Sequence, residues 1–550
     1  MKRNLHVIFC LLSIVFGSLL FGCSDDSSAV NAPPPSGPSD GDTDADSDGD
    51  SDADSDADSD ADGDMYQEAE TEDAENTGDQ YVDVGTNPFI YTASDPFSTF
   101  AADVDTASYD IFKRDIENGY LPVPESVRLE EYVNYFEYNY PIPAETAQHP
   151  FSISLAAAPG VFNKQTRMLR IGIQAAEREK PQTNLVFLID TSGSMSDATK
   201  LPLVQHLLTN TVDILDSADT VSIVTYAGST AVALPPTPVT ESDTIVQAIN
   251  SFSAGGSTAG AAGLDLAYAQ AEAAFVEGGL NHVILCTDGD FNVGPSSTDE
   301  LLQLIQEKRD TGVTLTVLGF GTGNLNDAMM ETVSNAGNGT YGMISSTADA
   351  DDYVENEMLS SILFVAKDVK LQVEFNPDHV LAYRLLGYEN RAVADDDFRN
   401  DIVDGGEIGS GHQVTALYEL VMVGGEIPAA QGAPDVSNGD TSTLTPEISM
   451  SDVALVKVRY KELAASTDDP ATEVQQSLPA TEVLTRLDSA DLDMQWAAAI
   501  AAFAEILKDS PYAIPENIND ISTIVNHDWL DGDRAEFQSL YQAAVQLYEE

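Results

Sequence analysis

A chain of 550 residues cannot close around one hydrophobic core, so two to four domains are expected. Its 92 acidic and 24 basic residues leave a formal charge of −68, which argues against binding nucleic acid, because phosphate neutralisation needs clustered Lys and Arg. The three cysteines, Cys10, Cys23 and Cys286, provide no disulfide framework, and Cys286 reads as a small core hydrophobe.

Lys2 and Arg3 precede a largely apolar stretch, 5–20, which ends Leu20-Phe21-Gly22-Cys23. It is long enough to suggest a membrane span. A small residue and then Cys, followed by a polar Pro/Ser/Asp tract, instead resembles a bacterial lipoprotein signal over residues 1–23. The resemblance implies a lipidated Cys23 and attachment to the membrane through that lipid only. Ser24, rather than Asp, implies the outer membrane of a Gram-negative envelope. An uncleaved anchor or plain secretion is the alternative.

Residues 24–86 are expected to form a disordered tether. Every even position from 40 to 64 is Asp, 13 in all, and large apolar residues are almost absent. Like-charge repulsion extends such a chain, to about 200 Å for roughly 60 residues at ~3.3 Å each. A calcium array is the alternative, but the glycines are irregular and no Glu closes a 12-residue loop.

An N-terminal helical segment is expected over 87–148. Phe97-Ser-Thr-Phe leads as an extended piece into a helix capped near Asp105 or Thr106 and ending at Asn118-Gly119. A second helix passes through 127–136, with Leu129, Val133 and Phe136 at helical spacing. Runs at 151–155 and 168–174 read as strands of a sheet with one wet face. Residues 182–362 then alternate strand and helix. Strands are predicted at 185–189, 221–226, 283–287 and 314–320, and helices at 200–215, 244–252, 260–275, 301–309 and 326–335. This alternation specifies an α/β domain with a doubly wound, mostly parallel sheet. Alternating strands return at 368–375, 413–420 and 453–460. We expect 149–178 and 366–463 to form one β-sandwich interrupted by the α/β domain. A polar linker, 466–477, leads to a helical region, 478–550, in which Trp496 and Trp529 read as core or docking residues.

The chemistry concentrates at Asn184-Leu-Val-Phe-Leu-Ile-Asp190-Thr-Ser192-Gly-Ser194. A short unbroken apolar run reads as a strand buried on both faces, and its carboxyl end is where ligands bind in open α/β sheets. The turn presents one carboxylate and two hydroxyls at alternate positions. Hard oxygen ligands with little charge suit Mg²⁺, with Mn²⁺ or Ca²⁺ also acceptable. Two further strand-end loops carry Thr258, in Ala254-Gly-Gly-Ser-Thr-Ala-Gly, and Asp288, in Cys286-Thr-Asp-Gly-Asp. If Asp190 is the only direct anion and Asp288 acts through water, the metal keeps about one positive charge and an open position that attracts a partner carboxylate.

Asp190, Ser192, Ser194, Thr258 and Asp288 closely resemble the metal-dependent adhesion site of von Willebrand factor type A domains: Asp-x-Ser-x-Ser, a distal Thr and a distal Asp. The resemblance extends over 88–550. Phe97-Ser-Thr-Phe, Asp103-Val-Asp-Thr-Ala-Ser-Tyr109, Glu131-Tyr-Val-Asn-Tyr-Phe, Thr287-Asp-Gly-Asp-Phe-Asn-Val-Gly294, Ala366-Lys-Asp-Val-Lys-Leu-Gln-Val-Glu-Phe-Asn-Pro377 and Gly411-His-Gln-Val-Thr-Ala-Leu-Tyr418 are similar to the bacterial YfbK-type lipoproteins. That family implies an N-terminal helical segment, an A domain and a C-terminal region, without established enzymatic activity.

Enzyme motifs are missing. Asp190 has no second Asp two residues on, and there is no Gly-x-Ser-x-Gly elbow, Walker A lysine or His-Glu-x-x-His. His206 and His282 read as structural or solvated. The expectation is a non-enzymatic envelope lipoprotein that binds a protein partner presenting Asp or Glu. A scaffold whose metal only stabilises the domain, and a metal-dependent hydrolase, are the alternatives.

Overall fold

A computed structural model describes residues 78–550, apart from 103, 145, 162, 257–259, 290–297, 402, 404, 441, 464, 466–468, 528, 529, 531 and 550. The signal with Cys10 and Cys23, the Asp-rich stretch, Thr258 and Trp529 lie outside the described residues.

The α/β domain is built on a sheet in the order Tyr341–Ile344, Thr314–Phe320, Leu280–Thr287, Thr183–Asp190, Thr220–Tyr226, Thr230–Pro238. The first five strands run parallel, and Thr230–Pro238 is an antiparallel edge. Side chains alternate across a strand, so Leu185, Phe187 and Ile189 face one helical layer and Val186 and Leu188 the other. Leu201–Ile214 and Ser242–Ile249 pack on the first face; Gly260–Ala273, Thr298–Asp310 and Asp327–Ala336 pack on the second. The four predicted strands and five predicted helices are all present, with ends moved by a few residues. Two strands went unread. Thr230–Pro238 carries Pro235, Pro236 and Pro238, which signal a break in sequence but are tolerated on an edge. Tyr341–Ile344 is four residues long, too short to show a period.

The flanking strands form two antiparallel sheets. One runs Ile90–Tyr91, Val380–Leu386, Gln413–Met422, Arg167–Ala175, Phe151–Ala158. The other centres on Phe364–Phe375, with Asp452–Lys461 and Thr472–Pro479 on one side and Gly406–Gly409 and Phe97–Ala101 sharing the opposite edge. Leu169, Ile171, Val414 and Ala416 of the first pack against Leu371, Val373, Val456 and Val458 of the second, as in a sandwich. The α/β domain leaves and re-enters this sandwich at one place: the Ala175 N–H bonds to His412 O at 2.9 Å, and the Ser410 N–H to Leu363 O at 2.7 Å.

Three expectations need correction. The tether expected over 24–86 is ordered at its end, where Asp79 is buried against Arg114 and Gln80 bridges to Asn326; its polar composition hid contacts made to a distant loop. The segment 87–148 is not purely helical, since Ile90–Tyr91 and Phe97–Ala101 are sandwich strands. The stretch 466–477, read as a linker, contains most of strand Thr472–Pro479. Its polar residues gave no apolar signal because it is an edge with a wet face.

The remaining N-terminal helices, Ala107–Glu117 and Leu129–Asn134, share a core with the C-terminal helices Leu492–Leu507, Ile518–Val525 and Gly532–Glu549. Tyr109, Phe112, Phe136, Trp496, Phe503 and Phe537 fill it, and Phe136 meets Trp496 edge-on with centroids 5.2 Å apart. Arg384 joins this body to the first sheet: Nη2 bonds Glu419 and Nη1 bonds Glu505, each at 3.0 Å, all three buried. Helix Ala107–Glu117 also covers the open edge of the α/β sheet. Asp105 and Asp110 accept the N–H groups of Tyr341 and Met343 there, at 2.8 and 3.3 Å.

Candidate metal centre

Strand Thr183–Asp190 lies at the point where chain connections depart in opposite directions, with Thr220–Tyr226 on one side and Leu280–Thr287 on the other. That is the crevice position of an open α/β sheet. Asp190 ends the strand and is 0% exposed; Asp288, just past the neighbouring strand, is 1% exposed. Ser192 is buried and Ser194 exposed, so the turn opens to solvent on the side of the second hydroxyl.

The turn is preorganised. The Ser192 N–H donates to Asp190 Oδ1 at 2.7 Å, and the Ser192 and Ser194 hydroxyls lie 2.9 Å apart. The small-residue loop is drawn against it: the Gly255 N–H bonds to Thr191 O at 2.8 Å, and the Gly193 N–H to Gly256 O at 3.1 Å. Thr258, two residues beyond Gly256, lies outside the described residues. Asp190, Ser192, Ser194 and Asp288 are thus gathered at one end of the sheet.

Two carboxylate oxygens of these loops lack a hydrogen-bond partner among the described residues, as Glu389 Oε2 and Glu505 Oε2 do elsewhere in the core. Asp190 Oδ2 and Asp288 Oδ1 are buried without a hydrogen bond among the described residues. An orphaned carboxylate oxygen inside a protein is costly. Burial pushes the Asp190 carboxyl up to about 6; the Ser192 N–H and hydroxyl and the Tyr226 hydroxyl hold it down, and the Asp288 charge adds to the rise. Among the described residues no group of three or more His, Cys, Asp or Glu side chains could hold a metal ion. A centre here would therefore rest on two carboxylates and hydroxyls. The orphaned oxygens and facing hydroxyls fit a hard divalent cation.

Three contributors were not read from sequence. Lys200 Nζ lies 3.0 Å from Asp288 Oδ2 and 3.1 Å from Asn324 Oδ1. Asp79 Oδ1 accepts the N–H groups of Gly323 and Leu325, at 2.8 and 3.0 Å, and so fixes the loop around Asn324. Gly289 has φ +97°, and a Cβ there would come within 2.6 Å of Leu325 Cα, so only glycine lets the two loops touch. The available signal was Gly321-Thr-Gly323-Asn, a small-residue loop at the carboxyl end of a fourth parallel strand. His206 reaches Asp351 at 2.7 Å on the surface, and His282 lies inside a strand beside Thr314 at 2.6 Å; neither belongs to the centre. Cys286 is buried in the core.

Comparison with known proteins matches three family models: von Willebrand factor over residues 75–170, von Willebrand factor type A domain over 184–356, and Uncharacterized protein YfbK, C-terminal, over 360–547. The Uncharacterized protein YfbK of Escherichia coli (strain K12) is 38% identical over 443 residues, covering 79% of this chain and 75% of that protein. Among solved structures, von Willebrand factor type A from Catenulispora acidiphila is 15% identical with a TM-score of 0.40, covering 75% of this chain and 91% of that one. Proximal thread matrix protein 1 from the mussel byssus, with a zinc-occupied adhesion motif, is 21% identical with a TM-score of 0.27, covering 34% and 46%.

Proposed function

This chain belongs to the YfbK family, and from that premise we propose that it is a cell-envelope lipoprotein that binds a protein partner through a divalent-metal-dependent adhesion site. It contains a von Willebrand factor type A domain, a fold that often carries such a site. The observation that carries the reading is the gathering of two buried carboxylates, Asp190 and Asp288, and the paired Ser192 and Ser194 hydroxyls at one end of the sheet.

Asp190, Ser192, Ser194, Thr258 and Asp288 would hold the ion, with Mg²⁺ first and Mn²⁺ or Ca²⁺ as alternatives. The ion supplies a Lewis-acidic point that accepts a carboxylate oxygen. This chain supplies the rest. The Ser192 N–H orients Asp190, the buried sheet end excludes water around it, and the exposed Ser194 edge leaves an approach for an Asp or Glu of the partner. Asp288 is already compensated by Lys200, so balancing its charge does not require the metal. That favours a binding role over a purely stabilising one. We place the protein at the outer membrane through lipid on Cys23 and assign it no catalytic activity. No described helix is long and apolar enough to cross a membrane.

The test is capture of partners from envelope extracts with Mg²⁺, with EDTA, and with Asp190→Ala. Mg²⁺-dependent capture, lost in both controls, is the expected result. Capture that survives both would sink the adhesion mechanism. Turnover of phosphate or ester substrates that is lost in Asp190→Ala would move the protein to the hydrolases.

A further inference from the structure

Lys200 is built into the centre with more care than a surface pairing needs. It precedes helix Leu201–Ile214, and its side chain is 9% exposed. Its stem runs across Gly321, where a Cβ would lie 2.5 Å from Cε and 2.6 Å from Cγ. Gly321 also has φ +80°, so glycine both turns the chain and clears the slot. At the far end Nζ is shared between Asp288 Oδ2 and Asn324 Oδ1. Asn324 cannot drift, because the N–H groups on either side of it are bonded to Asp79.

One oxygen of Asp288 is taken by the ammonium, and the other is buried without a hydrogen bond among the described residues. The ammonium therefore neutralises Asp288 and leaves its second oxygen available.

We infer that Lys200 is a specificity-determining residue of the metal centre: an internal counter-cation that cancels the charge of Asp288, lowering metal affinity while keeping the centre electrophilic. This deepens the adhesion reading and rests on it. With Asp288 cancelled, a bound divalent ion meets one uncompensated carboxylate, Asp190. The ion then keeps more of its positive charge, and the nearby ammonium adds to the field. Both effects weaken the hold on the metal and favour an anionic partner group over a neutral one. Without Lys200 the same donors would form a doubly charged set, better at holding a cation and worse at recruiting a carboxylate.

The experiment titrates Mg²⁺ by calorimetry into the metal-free full chain, as wild type, Lys200→Met and Asn324→Ala, and records each melting temperature in EDTA. Lys200→Met is expected to bind Mg²⁺ at least about tenfold more tightly than wild type and to melt lower in EDTA, with Mg²⁺ restoring the difference. Asn324→Ala, which loosens the ammonium without removing it, is expected to fall between the two. Unchanged or weaker Mg²⁺ binding by folded Lys200→Met overturns the inference. Should Lys200→Met fail to fold, Asn324→Ala decides, and wild-type affinity in that variant overturns it. An absence of Mg²⁺ binding in wild type and variants alike is a different failure, that of the adhesion reading itself.

Discussion

Arg114 Nη1 lies 3.1 Å from Asp79 Oδ2, with the two side chains 3% and 0% exposed. The pair ties the N-terminal helix to the loop that carries Asn324, because the other oxygen of Asp79 receives the Gly323 and Leu325 N–H groups. Asp79→Ala removes one partner from a buried cation and two from backbone donors. Arg114 keeps Asp115 at 2.7 Å, so the expected loss is about 2–3 kcal/mol. Urea unfolding measures it, and a loss within the noise would show that Asp79 holds nothing.

Metal binding to the folded state alone raises stability by mass action. With Mg²⁺ at about 100 times its Kd, the gain is about 2.7 kcal/mol. Differential scanning calorimetry is expected to show a rise in melting temperature that EDTA reverses and Asp190→Ala abolishes. An equal rise in the variant would place the ion elsewhere.

Acid should destabilise the α/β domain through His282. Burial pulls its pKa down from 6.5 to about 3. A group with a depressed folded pKa contributes stability that is present above its unfolded value and lost as pH falls toward its folded one. The window is therefore about pH 6.5 to 3, with a slope of up to about 1.4 kcal/mol per pH unit. His412, buried and lowered to about 4, adds to the upper part of the same window. Unfolding free energies measured between pH 7 and 4, as differences from the pH 7 value, should fall more steeply in wild type than in His282→Gln. Parallel curves would remove His282 from the account.

Arg384 carries the junction between the first sheet and the C-terminal helices. Arg384→Met leaves Glu419 and Glu505 buried without their cation, and the expected cost is about 3–5 kcal/mol. Its guanidinium also sits 4.3 Å from the Tyr512 ring centroid. Chemical denaturation should report the full loss. Arg384→Met combined with Glu419→Gln and Glu505→Gln should recover part of it, because the uncompensated charges are then gone.

The sequence by itself determined the α/β domain. The unbroken run 185–189 must be buried on both faces, and helical periods between such runs leave few alternatives to a doubly wound sheet. Asp190, Ser192, Ser194 and Asp288 were legible because strand-end turns of a parallel sheet share one edge whatever the rest of the chain does. Edge strands were not legible, since Thr230–Pro238 and Thr472–Pro479 lack the apolar alternation of strands with a buried face. What only the tertiary structure decided are the pairings across long separations. Phe97–Ala101 joins Phe364–Phe375, Phe136 meets Trp496, and Asp79 fixes the loop around Asn324. The same holds for Lys200 and Asp288, 88 residues apart. A lysine before a helix looks like any solvated helix start. Only folding carries its stem over Gly321 and sets its charge against the carboxylate, because that encounter depends on the distance between two loops and on no local pattern.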